Sequence, residues 1–197
     1  FRLRMRPIFQ SFSAYSPLLC QSNAEFVKGS SAPPWVAFDL APIDGRFPVA
    51  ADAPAILEML SGYEQVLFDS PYILLRKKDE TAPVQFEEIK VITARLGESI
   101  AVPQVPDGSW IWAEFGLKST ISGKMGGLLS KPAQVRLTIE DSTHSHGTPS
   151  YRLPAPLAAS GILLRPFLRN TADVGLLAHQ SSHSGIERFT LNAVSGF

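Results

Sequence analysis

The rhythm of apolar and polar positions changes once along the chain, near residue 80. Before it, strand-like and helix-like patterns alternate. Arg6–Gln10 reads as a short strand, and Ser16 is a helix N-cap with Pro17 at the first helical position. Leu19, Ser22, Phe26 and Val27 follow at helical spacing, and Gly29 stops the helix. After Pro33-Pro34, Trp35–Phe38 is a short buried-type strand, and the loop Ala41–Pro48 leads to Asp52 and Pro54, which open a second helix. Its Ile56, Met59, Leu60 and Tyr63 stand at i, i+3, i+4 and i+7, one stripe facing a core. Gln65–Phe68 and Tyr72–Leu75, separated by Asp69-Ser70-Pro71, predict a hairpin.

At Lys77–Pro83 charges cluster, helical periodicity stops and a boundary is predicted. From Phe86 onward the pattern is strand-like throughout, with no helix. Ile89 and Val91 alternate with Glu88 and Lys90; Ile111, Ala113, Phe115 and Leu117 alternate with Trp110, Trp112, Glu114 and Lys118; Val135, Leu137 and Ile139 alternate with Gln134, Arg136, Thr138 and Glu140. Ser150–Leu153, Gly161–Leu164 and Glu187–Val194 are further strands, and Pro106-Asp107-Gly108 is a turn. The expected class is α+β: a small α/β layered domain over residues 1–80, then an antiparallel, jelly-roll-like β-sandwich over residues 81–197.

Composition narrows the function classes. The 197 residues are 45% apolar, enough for a packed core, so wholesale disorder is excluded. Eighteen basic residues balance eighteen acidic ones, and residues 1–80 hold 8 basic and 9 acidic side chains, so neither segment is built to attract nucleic acid. A single cysteine cannot form an internal disulfide, and no apolar run is long enough to cross a bilayer. The chain begins at Phe1 with Arg2, Arg4 and Arg6 close behind, which reads as a boundary inside a longer protein; the arginines fit a juxtamembrane cluster or a solvated strand edge.

Catalytic chemistry finds few footholds. No Gly-x-Ser-x-Gly elbow is present, Cys20 sits on the first helix as a small buried thiol would, and Gly123–Gly127 lacks phosphate-loop spacing, so no cofactor is expected. His144-x-His146 and His179-x-x-x-His183 are zinc-ligand types, but the second pair has no helical context, and loop histidines satisfy both patterns equally. Asp39, Asp44 and Asp69 stand at strand ends or loops, where α/β sheets place ligands and where paired carboxylates serve glycosyl chemistry. Asp44-Gly45 and Asp69-Ser70-Pro71 are equally natural turns.

Trp110 and Trp112, two apart on one strand, share a face with Glu114 and Lys118, opposite Ile111, Ala113, Phe115 and Leu117. Three roles suit such a pair: burial beneath the α/β segment, docking of a partner, or a platform on which a sugar ring stacks.

At Arg6–Tyr15, Ala32–Phe38 and Ile43–Pro48 the chain resembles the C-terminal soluble region of uncharacterised polytopic bacterial membrane proteins, whose preceding helices are similar to those of glycosyltransferases using lipid-linked sugars. The Tyr63–Arg76 hairpin, Tyr151–Leu153 and Gly161–Pro166 extend the resemblance over most of the chain. It implies an extracytoplasmic location, on the periplasmic face of the inner membrane in a Gram-negative cell, and carries no catalytic residues. The expected function is a non-catalytic tail that binds or scaffolds glycan or lipid-linked sugar, with Trp110 and Trp112 as the contact. The alternative is a free-standing carbohydrate hydrolase acting through Asp39, Asp44 or Asp69, and a purely structural domain is a third.

Overall fold

A computed structural model describes residues 13–117, 134–140, 148–177 and 185–194. Helix α1 (Pro17–Lys28) begins where the serine-proline signal places it: the Ser16 hydroxyl accepts from Leu19 N at 3.4 Å, and Gly29 N donates to Glu25 O at 2.8 Å at the other end. Its buried stripe is Cys20, Asn23, Ala24 and Val27, with Leu19, Ser22 and Phe26 half-buried at the margins. That stripe packs on α2 (Ala53–Gly62), which buries Ala55, Ile56 and Met59. Between the two helices Asn23 Nδ2 donates to Asp52 Oδ2 at 2.8 Å, both side chains fully buried. Asp52 therefore spends an oxygen on α1, and its side chain makes no cap to α2.

Strand β1 (Trp35–Phe38) and the hairpin of β2 (Tyr63–Asp69) and β3 (Tyr72–Lys77) form an antiparallel sheet in the order β1–β3–β2. Arg76 on the central strand pairs across to Trp35 on one side and Glu64 on the other: its guanidinium lies 5.9 Å from the Trp35 ring centre and its Nε donates to Glu64 Oε1 at 2.7 Å.

A second antiparallel sheet takes β4 (Ser99–Ala101), β6 (Gln134–Glu140), β7 (Ser150–Leu153) and β9 (Arg188–Val194) in the order β4–β9–β6–β7. Val135, Leu137, Ile139, Phe189 and Leu191 are buried on its inner face, as the alternation predicts. On the outer face Glu140 accepts from Ser99 Oγ at 3.0 Å and Thr190 Oγ1 at 3.1 Å, with Arg188 3.6 Å away. A two-stranded sheet pairs β5 (Ile111–Ala113) with β8 (Ile162–Arg165), and Phe115 just beyond β5 meets Phe189 of β9 edge-on at 5.6 Å.

Mixed helices and antiparallel sheets make the class α+β. The segment after residue 86 is not all strand, however. One turn of helix, α3 (Ala155–Ala158), follows Pro154, and α4 (Thr171–Leu177) buries Thr171, Val174 and Gly175. At seven residues, with a glycine on its buried face, α4 is too short to show a helical period in sequence. Its start is held locally: Asn170 Oδ1 accepts from Asp173 N at 3.0 Å. The strand expected around Ile89 does not form, and residues 78–98 are neither helix nor strand. The strand at 111–117 ends at Ala113, because Phe115 N turns to Ala158 O at 3.0 Å. The strand expected at Arg6–Gln10 and the Gly123–Gly127 connection lie outside the described residues.

The buried cluster takes residues from both sides of residue 80, among them Val27, Phe47, Ile56 and Ile73 with Leu137, Ile162, Leu164 and Phe189. Polar links run the same way: Leu40 N donates to Thr171 Oγ1 at 2.7 Å and Arg152 N to Gly45 O at 2.7 Å.

Candidate functional site

Strand β5 carries Trp112 of the predicted platform, and Trp110 lies immediately before the strand. Ile111 between them is buried, and Trp110 and Trp112 are each half-buried against the core rather than standing clear of it. A shift of pairing register between Ile111 and Trp112 locally breaks the simple inside–outside alternation. The Trp112 indole lies against Gly161, whose backbone at φ +92° is in glycine's range, and a Cβ there would fall 2.0 Å from the ring. Phe86 flanks the same indole at 6.0 Å between ring centres, tilted by 54°. The indole Nε1 donates to Glu114 Oε1 at 3.4 Å, and Glu114 is exposed. These three neighbours lie beyond residue 80, so they do not come from the α/β segment. The outcome is an orientated aromatic with a solvent-facing carboxylate beside it, able to combine stacking with acceptance of a hydroxyl proton. Lys118, the fourth residue of the predicted face, lies outside the described residues.

The three aspartates have separate structural settings. Asp44 and Gly45, at φ 53° and 66°, are the two central residues of a type I′ turn closed by Arg46 N to Ile43 O at 2.9 Å. Gly45 O then accepts from Arg152 N, so this turn docks β7 onto the loop. Asp39 accepts from Thr171 Oγ1 at 2.9 Å at the start of α4. Asp69 ends β2 opposite Tyr72, flanking Ser70-Pro71 at the hairpin turn. Asp44 and Asp69 thus stand in two separate turns and Asp39 at the docking contact of α4. His144, His146, His179 and His183 lie outside the described residues, and among the described ones no group of three or more His, Cys, Asp or Glu is placed to hold a metal. Cys20 is buried, its Sγ 3.6 Å from Ala14 O and 3.9 Å from Ala51 O. No helix among the described residues is long and apolar enough to cross a membrane.

Two further groupings escape the sequence patterns. A cavity of about 120 Å³ lies where α1 and α2 end beside β3, lined by Lys28, Glu58, Ser61, Tyr63, Lys77 and Thr81 among others. Of its cations, Lys28 pairs with Glu58 at 3.2 Å and Lys77 Nζ donates to Gly29 O at 2.9 Å, while the adjoining Lys78 donates to Ser61 O at 2.8 Å, so both helices have carbonyls satisfied near their C-terminal ends. Tyr63 donates to Pro33 O at 2.9 Å, and burial pushes its phenol up to about 12, so the group is a structural donor and a poor acid. The second grouping is Tyr151, whose ring lies 5.2 Å from Phe47 beside the Arg169–Asp173 pair. Burial raises its pKa most, Arg169 opposes the rise and Asp173 adds to it. Arg169 holds both Asp173 oxygens, at 2.9 and 3.0 Å, in a fork that the i, i+4 spacing alone makes visible.

Compared with protein-family models, curated proteins and solved structures, the chain finds no match in any of the three.

Proposed function

We propose that this chain is a non-catalytic binding or scaffolding module that handles cell-envelope glycan or lipid-linked sugar on the extracytoplasmic side of the membrane, as part of a membrane protein. The observation that carries the proposal is the Trp112 indole, seated on Gly161, flanked by Phe86 and tied through Nε1 to the exposed Glu114. Sugar rings present flat C–H faces edged by hydroxyls, and an orientated indole beside a carboxylate suits both parts. An aromatic held in place before the ligand arrives loses little entropy on binding. In the same proposal the four-stranded and two-stranded sheets are the two layers of a jelly-roll-like sandwich, an architecture that lectins share. Membrane attachment and periplasmic location rest on the sequence resemblance.

The test is titration of the chain with a panel of cell-envelope oligosaccharides and water-soluble lipid-linked-sugar analogues, read by tryptophan fluorescence and calorimetry. One class should bind at micromolar to millimolar Kd. Trp112→Phe and Glu114→Gln should each weaken that binding about tenfold while the thermal midpoint stays within a few degrees. Turnover of a glycan that Asp39→Asn, Asp44→Asn or Asp69→Asn abolishes would overturn the proposal in favour of a hydrolase. Binding to none of the panel would overturn it in favour of a structural domain.

A further inference from the structure

The segment between β3 and β4 is at odds with its own sequence. Glu88–Val91 alternates charged and apolar residues and Val84–Leu96 is rich in β-branched side chains, yet the segment forms neither helix nor strand. Its apolar side chains stand in solvent: Phe86 is 64% exposed and Val91 76%, with Ile89, Ile92 and Leu96 also exposed. Glu88 and Lys90 are exposed too, and no ion pair among the described residues uses either. Among the described residues this segment combines local strand preference with no strand partner, which leaves its backbone open to pairing with another chain.

The order of the residues specifies that partner. With a two-fold axis through Ile89, antiparallel pairing of two copies sets Phe86 opposite Ile92 and Glu88 opposite Lys90, on one face of the ribbon. Every opposed pair on that face is then apolar with apolar or anion with cation, each occurring twice by symmetry. On the other face Ile89 meets Ile89, flanked by Glu87 opposite Val91 and Gln85 opposite Thr93. Moving the axis by one residue destroys the match, opposing Phe86 to Lys90 or Glu88 to Ile92. We infer that residues 84–94 are an interface strand that pairs antiparallel with the same segment of a second copy of this chain, its register set by the Glu88–Lys90 pairs. The strand shares Phe86 with the proposed glycan site, and charge reversals at Glu88 and Lys90 test the pairing without altering Phe86, Trp112 or Glu114.

Sedimentation velocity of the full chain over a wide concentration range tests it, with circular dichroism to confirm folding. The expected result is a species of about twice the 21.5 kDa chain mass. Glu88→Lys and Lys90→Glu should each weaken the dimer about tenfold, because each sets like charges opposite one another twice. The double substitution exchanges the two charges and should restore the wild-type dissociation constant. Ile89→Lys should leave monomer. A wild-type monomer at all concentrations would overturn the inference. So would a dimer indifferent to the single charge reversals, or a double variant no tighter than the singles, either of which would place the interface elsewhere.

Discussion

Trp112 rests against Gly161 so closely that the next carbon atom there has no room: a Cβ would lie 2.0 Å from Cε2 of the indole and 2.1 Å from Cζ2 and Nε1. At φ +92° the same residue occupies backbone space that a side chain strains. Gly161→Ala should therefore displace the ring and strain the turn into β8 together, at about 3 kcal/mol. In a chain of this size that lowers the thermal midpoint by roughly 6–12 °C. A melt followed by tryptophan fluorescence checks both effects; an unchanged midpoint would contradict the contact.

Thr171 carries two hydrogen bonds between segments 131 residues apart, accepting from Leu40 N at 2.7 Å and donating to Asp39 Oδ1 at 2.9 Å. It is 4% exposed. Thr171→Val keeps the shape but strands the Leu40 N–H in the interior, so about 2 kcal/mol should be lost, whereas Thr171→Ser should lose well under half of that. Urea midpoints of the two variants make the comparison, and equal losses would show that the methyl group matters as much as the hydroxyl.

What the sequence made legible and what it hid follow one physical division. Signals confined to neighbouring residues hold: the Ser16-Pro17 start, the Gly29 stop, the Asp69-Ser70-Pro71 hairpin and the alternation of Val135, Leu137 and Ile139 all reappear. Features set by distant partners were hidden. Asp52 looks like an N-cap but bonds to Asn23 across two helices, and Gly161 reads as the start of a strand although its role is to seat Trp112. Ile89 and Val91 have the pattern of a strand but find no strand partner among the described residues. Helix α4 was missed because seven residues span too few turns for a period to show.

Alkaline pH should expose the burial of Tyr63. Its folded-state pKa of about 12 lies above the ordinary 10.0. The unfolded chain gives up this proton first as pH rises, so the stabilisation is fully present below pH 10 and is lost progressively between pH 10 and 12. Tyr63→Phe removes the titration. It should cost about 1 kcal/mol at neutral pH through the hydrogen bond to Pro33 O, then decline less steeply than the wild type above pH 10. Urea midpoints measured from pH 8 upward decide the matter: wild-type and variant curves that stay parallel would show that Tyr63 ionises as an exposed phenol does.

Unfolding should be a single event for the whole chain. Phe47 is fully buried between rings from beyond residue 80, 5.2 Å from Tyr151 and 5.9 Å from Phe167, while Arg152 N and Leu40 N close hydrogen bonds in both directions across the same join. Separating the segments at residue 80 would bare the Phe47 ring and leave the Leu40 N–H without its acceptor, so neither segment keeps a complete core alone. Calorimetric and van't Hoff enthalpies of the intact chain should agree, and Phe47→Ala should lower the midpoint of that one transition by roughly 6–20 °C, the equivalent of about 3–5 kcal/mol. Fragments 1–80 and 81–197, expressed separately, should lack a cooperative melt. Two resolved transitions in the intact chain, with only one shifted by Phe47→Ala, would instead make the segments independent folding units that touch without sharing their stability.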